Sequence, residues 1–258
     1  MMRAPALPRT PTHSMNEHIL SSFEHALQGL RSEVLAMAAT ARRNLEHAAW
    51  GLAQRDVDLC GKAIAGDTEV DEYERKIDQL GLDILVRFNP VAGDLRLVIT
   101  AMKVSANLER ISDHAVNIAK RARKIAARGE VPESGLVGPL HALADGLLAD
   151  AMTAVAERDS ELGASLKARD KELDREHKRF ISSLSSRLEE AHGHSEDFLH
   201  LIFIARSLER IGDLAVNIGE EAVFLESARD IRHEKRLRKL HAGAGEAPPE
   251  PAQDGAEG

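Results

Sequence analysis

The chain has 258 residues, of which 43% are apolar, 29% are charged and 3% are aromatic, and its formal net charge is −8. This apolar fraction supports a packed core and excludes a wholly disordered chain. The acidic balance argues against a nucleic-acid-binding protein, because such proteins gain affinity by neutralising phosphates. The apolar residues are mostly alanine and leucine, which favour helices over strands.

Three helices are predicted in the first half of the chain. An apolar residue recurs every three or four positions over residues 15–54, which indicates an amphipathic helix. A second helix is predicted over residues 56–88. It ends before Asn89, because a residue that precedes a proline is pushed out of the helical region. A third helix is predicted over residues 92–128, before Gly129. Together they form a predicted first bundle over residues 16–129, preceded by a disordered tail at residues 1–15.

Three further helices are predicted after a linker at residues 130–135, which contain proline and glycine. Helical periodicity resumes near Leu136 and passes to a new helix near Asp159. It pauses at residues 191–194 and then continues over residues 195–225. We assign residues 136–241 to a second bundle that ends in a basic helix segment at residues 229–239. Residues 242–258 are rich in Ala, Gly, Pro and Glu and are predicted to form a disordered tail.

An internal repeat relates the two halves. The sequence LERISDHAVNI at residues 108–118 recurs as LERIGDLAVNI at residues 208–218, with nine of eleven residues identical. A weaker match pairs residues 53–56 with residues 156–159. The predicted fold is therefore all-α, with two homologous three-helix bundles, or six long helices, that arose by duplication.

No part of the sequence predicts insertion into a membrane or export. The longest strongly apolar run, residues 198–205, is far shorter than the ~20 residues that cross a bilayer. The first fourteen residues lack the apolar segment of a secretory signal. Cys60 is the only cysteine, so an internal disulfide is excluded, which suits a reducing compartment. We therefore expect a cytoplasmic protein.

Four pairs of acidic residues at a spacing of four are the candidate functional residues, because residues four apart share one face of a helix. Each half has one pair on its second helix and one on its third, so packing of these helices can collect four carboxylates. Such a cluster is unfavourable unless a cation neutralises it. Oxygen ligands suit hard cations such as Mg²⁺, Mn²⁺, Ca²⁺ or iron, with Zn²⁺ left open. The candidate ligands are Asp67, Asp71, Glu109 and Asp113 in the first half and Asp170, Asp174, Glu209 and Asp213 in the second.

Two simpler interpretations of the acidic pairs remain open at this level. A single pair at this spacing is common on a solvated helix face, and Arg110 and Arg210 could bind the carboxylates in ion pairs between helices. The recurrence of the pairs in both halves favours a metal site. Asn117 and Asn217 lie on the same faces as Glu109 and Glu209, where they would add oxygen ligands or hydrogen bonds, or else fix the register of the bundle.

These motifs carry a family resemblance. The segment PVAGDLR at residues 90–96, followed by the repeated motif at residues 108–118 and 208–218, resembles the PhoU family of phosphate-transport accessory and regulatory proteins. The resemblance spans residues 21–225 and includes the duplication. It implies two three-helix bundles and multinuclear metal clusters, of iron in some members, bound by E/D-x-x-x-D motifs. The pairs Glu109/Asp113 and Glu209/Asp213 match these motifs, with the pairs of the second helices as their partners.

The resemblance also implies a function. Family members act in the cytoplasm as negative regulators of phosphate uptake and of the phosphate-starvation response. The implied partners are the ATPase of the phosphate ABC transporter and a phosphate-sensing histidine kinase, and the expected assembly is a homodimer. We expect a regulator without catalytic activity. The alternative is a metal-dependent enzyme that uses the carboxylate clusters for phosphate or redox chemistry, although a ferritin-type site is disfavoured because the chain has only one Glu-x-x-His motif.

Overall fold

A computed structural model describes residues 12–187 and 195–231 of the chain, and all of its regular elements there are helices. This confirms the predicted all-α class. In chain order the elements are α1 (Thr12–Ala53), α2 (Val57–Ala65), α3 (Asp67–Phe88), α4 (Ala92–Arg128), a 3-10 helix (Pro132–Val137), α5 (Gly138–Glu157), α6 (Ser160–Arg187) and α7 (Ser195–Ser227).

Two three-helix bundles pack side by side, as the repeat predicts. In the first bundle α1 packs against α3 and α4, and the short α2 continues into α3; in the second bundle α5, α6 and α7 pack together. The helices α4 and α7, which carry the two copies of the repeated motif, pack against each other and join the bundles. They run antiparallel, because Arg128 pairs with Glu196 at one end and Lys103 Nζ lies 3.2 Å from Glu221 Oε2 near the other.

The core of each bundle is built from leucine, isoleucine and alanine at helical spacing. Leu30, Met37 and Leu45 of α1 are fully buried, at intervals of seven and eight residues that correspond to two helical turns. Between the bundles, Arg42 Nε of α1 donates a hydrogen bond to Asp145 Oδ1 of α5 at 2.6 Å. Among the described helices, none combines the length and the hydrophobicity needed to cross a bilayer.

The second predicted helix is interrupted at Gly66. The backbone N–H of Gly66 closes α2 on the carbonyl of Lys62, and α3 begins at the next residue. A Cβ atom at position 66 would overlap Oδ1 of the buried Asn44, so the glycine leaves room for this side chain of α1. As a consequence Asp67 lies in the first turn of α3, where the helix dipole favours a negative charge.

Other boundaries follow local signals. The carboxylate of Asp56 accepts hydrogen bonds from the N–H groups of residues 58 and 59 at 2.8 and 3.0 Å and so begins α2. Asn89 ends α3 in a left-handed conformation, with φ of 46°. Asp159 begins α6 by accepting a hydrogen bond from Leu162 N at 2.9 Å.

Two predicted boundaries differ from the structure. The helix α1 begins at Thr12, so residues 12–15 of the predicted tail are helical. The predicted linker at residues 130–135 overlaps the 3-10 helix Pro132–Val137. Val131, which precedes this helix, and Val137, which ends it, are both buried. The predicted pause at residues 191–194, most of the basic segment at 229–239 and the tail at 242–258 lie outside the described residues.

Candidate functional site

Five carboxylates from α3 and α4 gather on one side of the first bundle. Because α3 and α4 pack together, the two predicted pairs meet, and Glu74 of α3 joins them. Burial, and after it the charges of four neighbouring carboxylates, raise the pKa of Glu109 from 4.5 to about 7. This first acidic cluster consists of Asp67, Asp71, Glu74, Glu109 and Asp113.

The shifts of two other members show that the cluster is shared by both helices. Burial raises the pKa of Asp71, as do the charges of Asp67 and Asp113. Burial also raises the pKa of Glu74, and Asp78, Asp71 and Asp113 add to it. Our sequence analysis missed Glu74, although it follows Asp71 by three residues and so shares its face of the helix.

Hydrogen bonds from the core hold one edge of this cluster in place. The hydroxyl of Ser112 on α4 donates to Asp67 Oδ1 at 2.7 Å. Asn44 of α1 in turn donates from Nδ2 to Ser112 Oγ at 3.5 Å, and both of these residues are buried. A chain of polar contacts therefore links all three helices of the bundle to the first carboxylate of α3.

A second acidic cluster forms at the matching place in the other bundle. It consists of Asp170 and Asp174 on α6 and Glu209 and Asp213 on α7. Burial, and after it the charges of Asp174, Asp213 and Glu209, raise the pKa of Asp170 to about 6, and the charge of Lys167 opposes this shift. All eight predicted carboxylates are thus grouped four to each bundle.

The two clusters differ at the residue where the repeat changes from serine to glycine. Ser112 binds Asp67 in the first bundle, whereas the equivalent residue in the second bundle is Gly212. A Cβ atom at Gly212 would overlap Leu173 Cδ2 and lie 2.9 Å from Asp170 Oδ1. The glycine thus gives α6 and the carboxylate of Asp170 room against α7.

The clusters also differ in their counter-charges. Arg210 Nη1 donates to Asp213 Oδ2 at 3.0 Å, and Arg210 Nε lies 3.5 Å from Glu209 Oε2. Both contacts lie within α7, so Arg210 neutralises part of the second cluster without forming the predicted ion pair between helices. Arg110, the equivalent of Arg210, makes no such pair with any residue that the structure describes.

The two asparagines of the repeated motif lie in clefts along the seam of α4 and α7. Asn217 lines a cleft of about 430 Å³ together with Asp170 and Asp213 of the second cluster. Asn117 lines an adjoining cleft of about 420 Å³ together with Arg110. Asn217 is thus placed beside predicted ligands, while Asn117 faces a cationic surface.

The donor set of both clusters has the chemistry that hard cations prefer, since it consists only of carboxylate oxygens. As the side chains are placed, no three His, Cys, Asp or Glu residues within 12–187 and 195–231 converge tightly enough to enclose one ion. The carboxylates are near enough to raise the pKa values of Glu109 and Asp170. They remain spread apart, which is the arrangement that like charges favour.

Comparisons with known proteins agree with the fold and with the duplication. The sequence profile of the PhoU domain matches residues 34–122 and again residues 139–222. The chain is 36% identical over 223 residues to a phosphate-specific transport system accessory protein PhoU homolog of Pseudomonas putida, which covers 85% of the chain and 86% of that protein. It is 31% identical over 232 residues to the PhoU accessory protein of Escherichia coli K12, covering 89% and 96% of the two proteins.

Two crystal structures resemble most of the chain. PhoU from Pseudomonas aeruginosa superposes with a TM-score of 0.77 at 33% identity and covers 80% of this chain and 100% of that one. The phosphate transport system regulatory protein PhoU from Streptococcus pneumoniae superposes with a TM-score of 0.74, and at 22% identity this likeness speaks for the fold alone.

Proposed function

This chain belongs to the PhoU family, and on that premise we propose that it is an accessory protein of a phosphate transport system that restrains phosphate uptake. The observation that carries the proposal is the match of two PhoU domains to the two bundles, together with relatives that are similar along most of their own length. Those relatives are named as accessory proteins of phosphate-specific transport. A regulatory role in phosphate transport is the function that this kinship supports.

The proposed partners are the ATPase of a phosphate ABC transporter and a phosphate-sensing histidine kinase. Through them the protein would act in the cytoplasm as a negative regulator of uptake and of the phosphate-starvation response, and it would do so as a homodimer. Family kinship supports this part of the proposal.

The two acidic clusters are the proposed metal centres. Asp67, Asp71, Glu109 and Asp113 would bind one ion or cluster of ions, and the four carboxylates of the second cluster another, with Asn217 able to add an amide oxygen. A bound cation supplies positive charge that neutralises the carboxylates. The carboxylates themselves then hold the second and third helix of each bundle together, because each cluster draws its ligands from both helices.

The regulatory role is tested in a cell that lacks this protein. Expression of phosphate-responsive genes should be high in the deletion strain even when phosphate is plentiful, because the restraint is gone. A plasmid copy of the chain should restore repression, and a copy in which the four carboxylates of α4 and α7 are replaced by amides should restore less. Normal repression in the deletion strain, with no second copy of the gene, would contradict the proposed function.

We also propose that the protein has no catalytic activity of its own. Purified protein loaded with Mn²⁺ or iron should not hydrolyse p-nitrophenyl phosphate or turn over peroxide above the rate of the free metal. Turnover that disappears in the Asp113→Asn/Asp213→Asn variant would instead support a carboxylate-cluster enzyme.

A further inference from the structure

Four arginines line the cleft of about 420 Å³ between the two bundles, and we name this cleft the arginine cleft. Arg110 and Arg121 come from α4, and Arg206 and Arg210 come from α7. No acidic residue lines it within the described part of the chain. A concave surface that collects charges of one sign concentrates the electrostatic potential and attracts ions of the opposite sign.

Two of these guanidinium groups form no ion pair with the described residues, although Arg110 also lines the adjoining cleft with Asp170 and Asp213. Arg210 is paired with Asp213, and Arg121 lies over the ring of Phe203 at 4.1 Å from its centroid. Arg110 and Arg206 are exposed and form no ion pair with any residue in 12–187 or 195–231. Their charges repel one another and those of Arg121 and Arg210, and an anion between them would relieve the repulsion.

We propose that the arginine cleft binds an organic phosphate of the nucleotide class, with its phosphoryl oxygens on Arg110 and Arg206 and its base against Phe203. A guanidinium group presents its N–H donors in a planar fork that matches phosphate oxygens two at a time. Asn117 in the wall of the cleft offers a neutral donor beside the arginines, whereas the Ser207 hydroxyl already donates to the carbonyl of Phe203 at 3.0 Å.

The size and one wall of the cleft favour a nucleotide over a bare ion. Its volume lies in the range of roughly 300–1,000 Å³ that is usual for sites of small organic ligands. Phe203 is 46% exposed although it is a large apolar residue, and Arg121 holds its ring from one side. An exposed aromatic ring next to cationic groups is the arrangement on which nucleobases stack.

The test is calorimetric titration of the full chain, in buffer with chelator, using ATP, inorganic tripolyphosphate and inorganic phosphate as separate probes. The chelator removes metal ions from the proposed metal centres. The result therefore tests anion binding in the arginine cleft alone and does not depend on whether the metal centres or the regulatory role are correct. ATP should bind most tightly, and Phe203→Ala should weaken ATP but leave tripolyphosphate unchanged. Equal affinity of the wild-type chain for ATP and tripolyphosphate would overturn the nucleotide assignment.

Variants of the arginines locate the site. Arg110→Gln and Arg206→Gln should each weaken ATP binding by about tenfold, the usual effect of losing one hydrogen-bonded charge. Arg123→Gln is the matched control, since Arg123 is also exposed on α4 but does not line the cleft; it should leave the affinity unchanged. Circular dichroism verifies that each variant is folded. Absence of ATP binding by the wild-type chain, or equal loss in the control, would overturn the proposal.

Discussion

Replacement of Glu109 by glutamine should make the metal-free protein more stable at alkaline pH. Glutamine keeps the size and polarity of the side chain but cannot ionise. In the folded chain the pKa of Glu109 is raised from 4.5 to about 7 by burial and by the carboxylates around it. A group whose pKa is raised on folding favours the folded state below its unfolded pKa, and this contribution is lost as the pH rises through the folded pKa.

The magnitude follows from the size of the shift. A shift from 4.5 to about 7 corresponds to an upper bound of about 3.4 kcal/mol at 1.36 kcal/mol per pKa unit. Glu109 is only partly buried, and solvent screens the repulsion, so we expect a gain of about 1–2 kcal/mol in the free energy of unfolding. The gain should be small at pH 5 and reach its full value by about pH 8.

The assay is urea unfolding followed by circular dichroism at several pH values between 5 and 8, with chelator present throughout. Glu72→Gln is the matched control, because Glu72 is exposed on α3 and is not among the carboxylates that raise the pKa of Glu109. The control should follow the wild-type pH dependence. A Glu109→Gln variant whose stability also follows the wild-type pH dependence would refute the electrostatic account of the first cluster.

Three more predictions test the second cluster and the metal sites. Asp170→Asn should also raise the free energy of unfolding of the metal-free chain. Because the pKa of Asp170 is about 6, this increase should reach its full value about one pH unit below that of Glu109→Gln. Equal pH profiles of the two variants in urea unfolding would contradict this prediction. With Mn²⁺ present, Asp113→Asn/Asp213→Asn should melt below wild type, because a ligand that binds the native state stabilises it, and after chelation the order should vanish or invert; a difference in Tm that does not depend on metal would reject the sites. Gly212→Ala should lower the free energy of unfolding by about 1–3 kcal/mol, because its Cβ would overlap Leu173, whereas a neutral effect in thermal unfolding would show that α6 can move.

The sequence predicts elements well wherever a local signal decides them. Asn89 before a proline and Gly129 mark the boundaries of the helix predicted over residues 92–128, and the structure gives Ala92–Arg128. The break at Gly66 is accompanied by a contact that the sequence does not reveal, since Asn44 of α1 occupies the space that a side chain at position 66 would need. These two residues are 22 positions apart, so their contact cannot be predicted from the hydrophobic periodicity of residues 56–88.

The acidic residues were predicted from recurrence, and recurrence also explains what was missed. The pairs stood out because both halves carry them at equivalent positions. Glu74 has no acidic equivalent, because residue 177 is a histidine at the offset of 103 that relates Asp71 to Asp174. The arginine cleft was not predicted either, since Arg121 and Arg206 lie outside the repeated motif and face each other only through the packing of α4 on α7.

Duplication produced two similar carboxylate clusters that are not chemically equivalent. In the second cluster Arg210 already pairs with Glu209 and Asp213, so a cation that binds there must compete with a guanidinium group. The equivalent Arg110 forms no such pair with the described residues and lines a cleft beside Asp170 and Asp213 instead. The four predicted carboxylates of the first cluster are joined by a fifth acid, Glu74. The uncompensated charge is therefore greater in the first cluster, and a hard cation gains more by entering it. Arg110 thereby stays unpaired among the described residues and open to the anion that we propose for the arginine cleft. If both proposals hold, the different pairing of Arg110 and Arg210 distinguishes the two halves in metal binding and in phosphate binding.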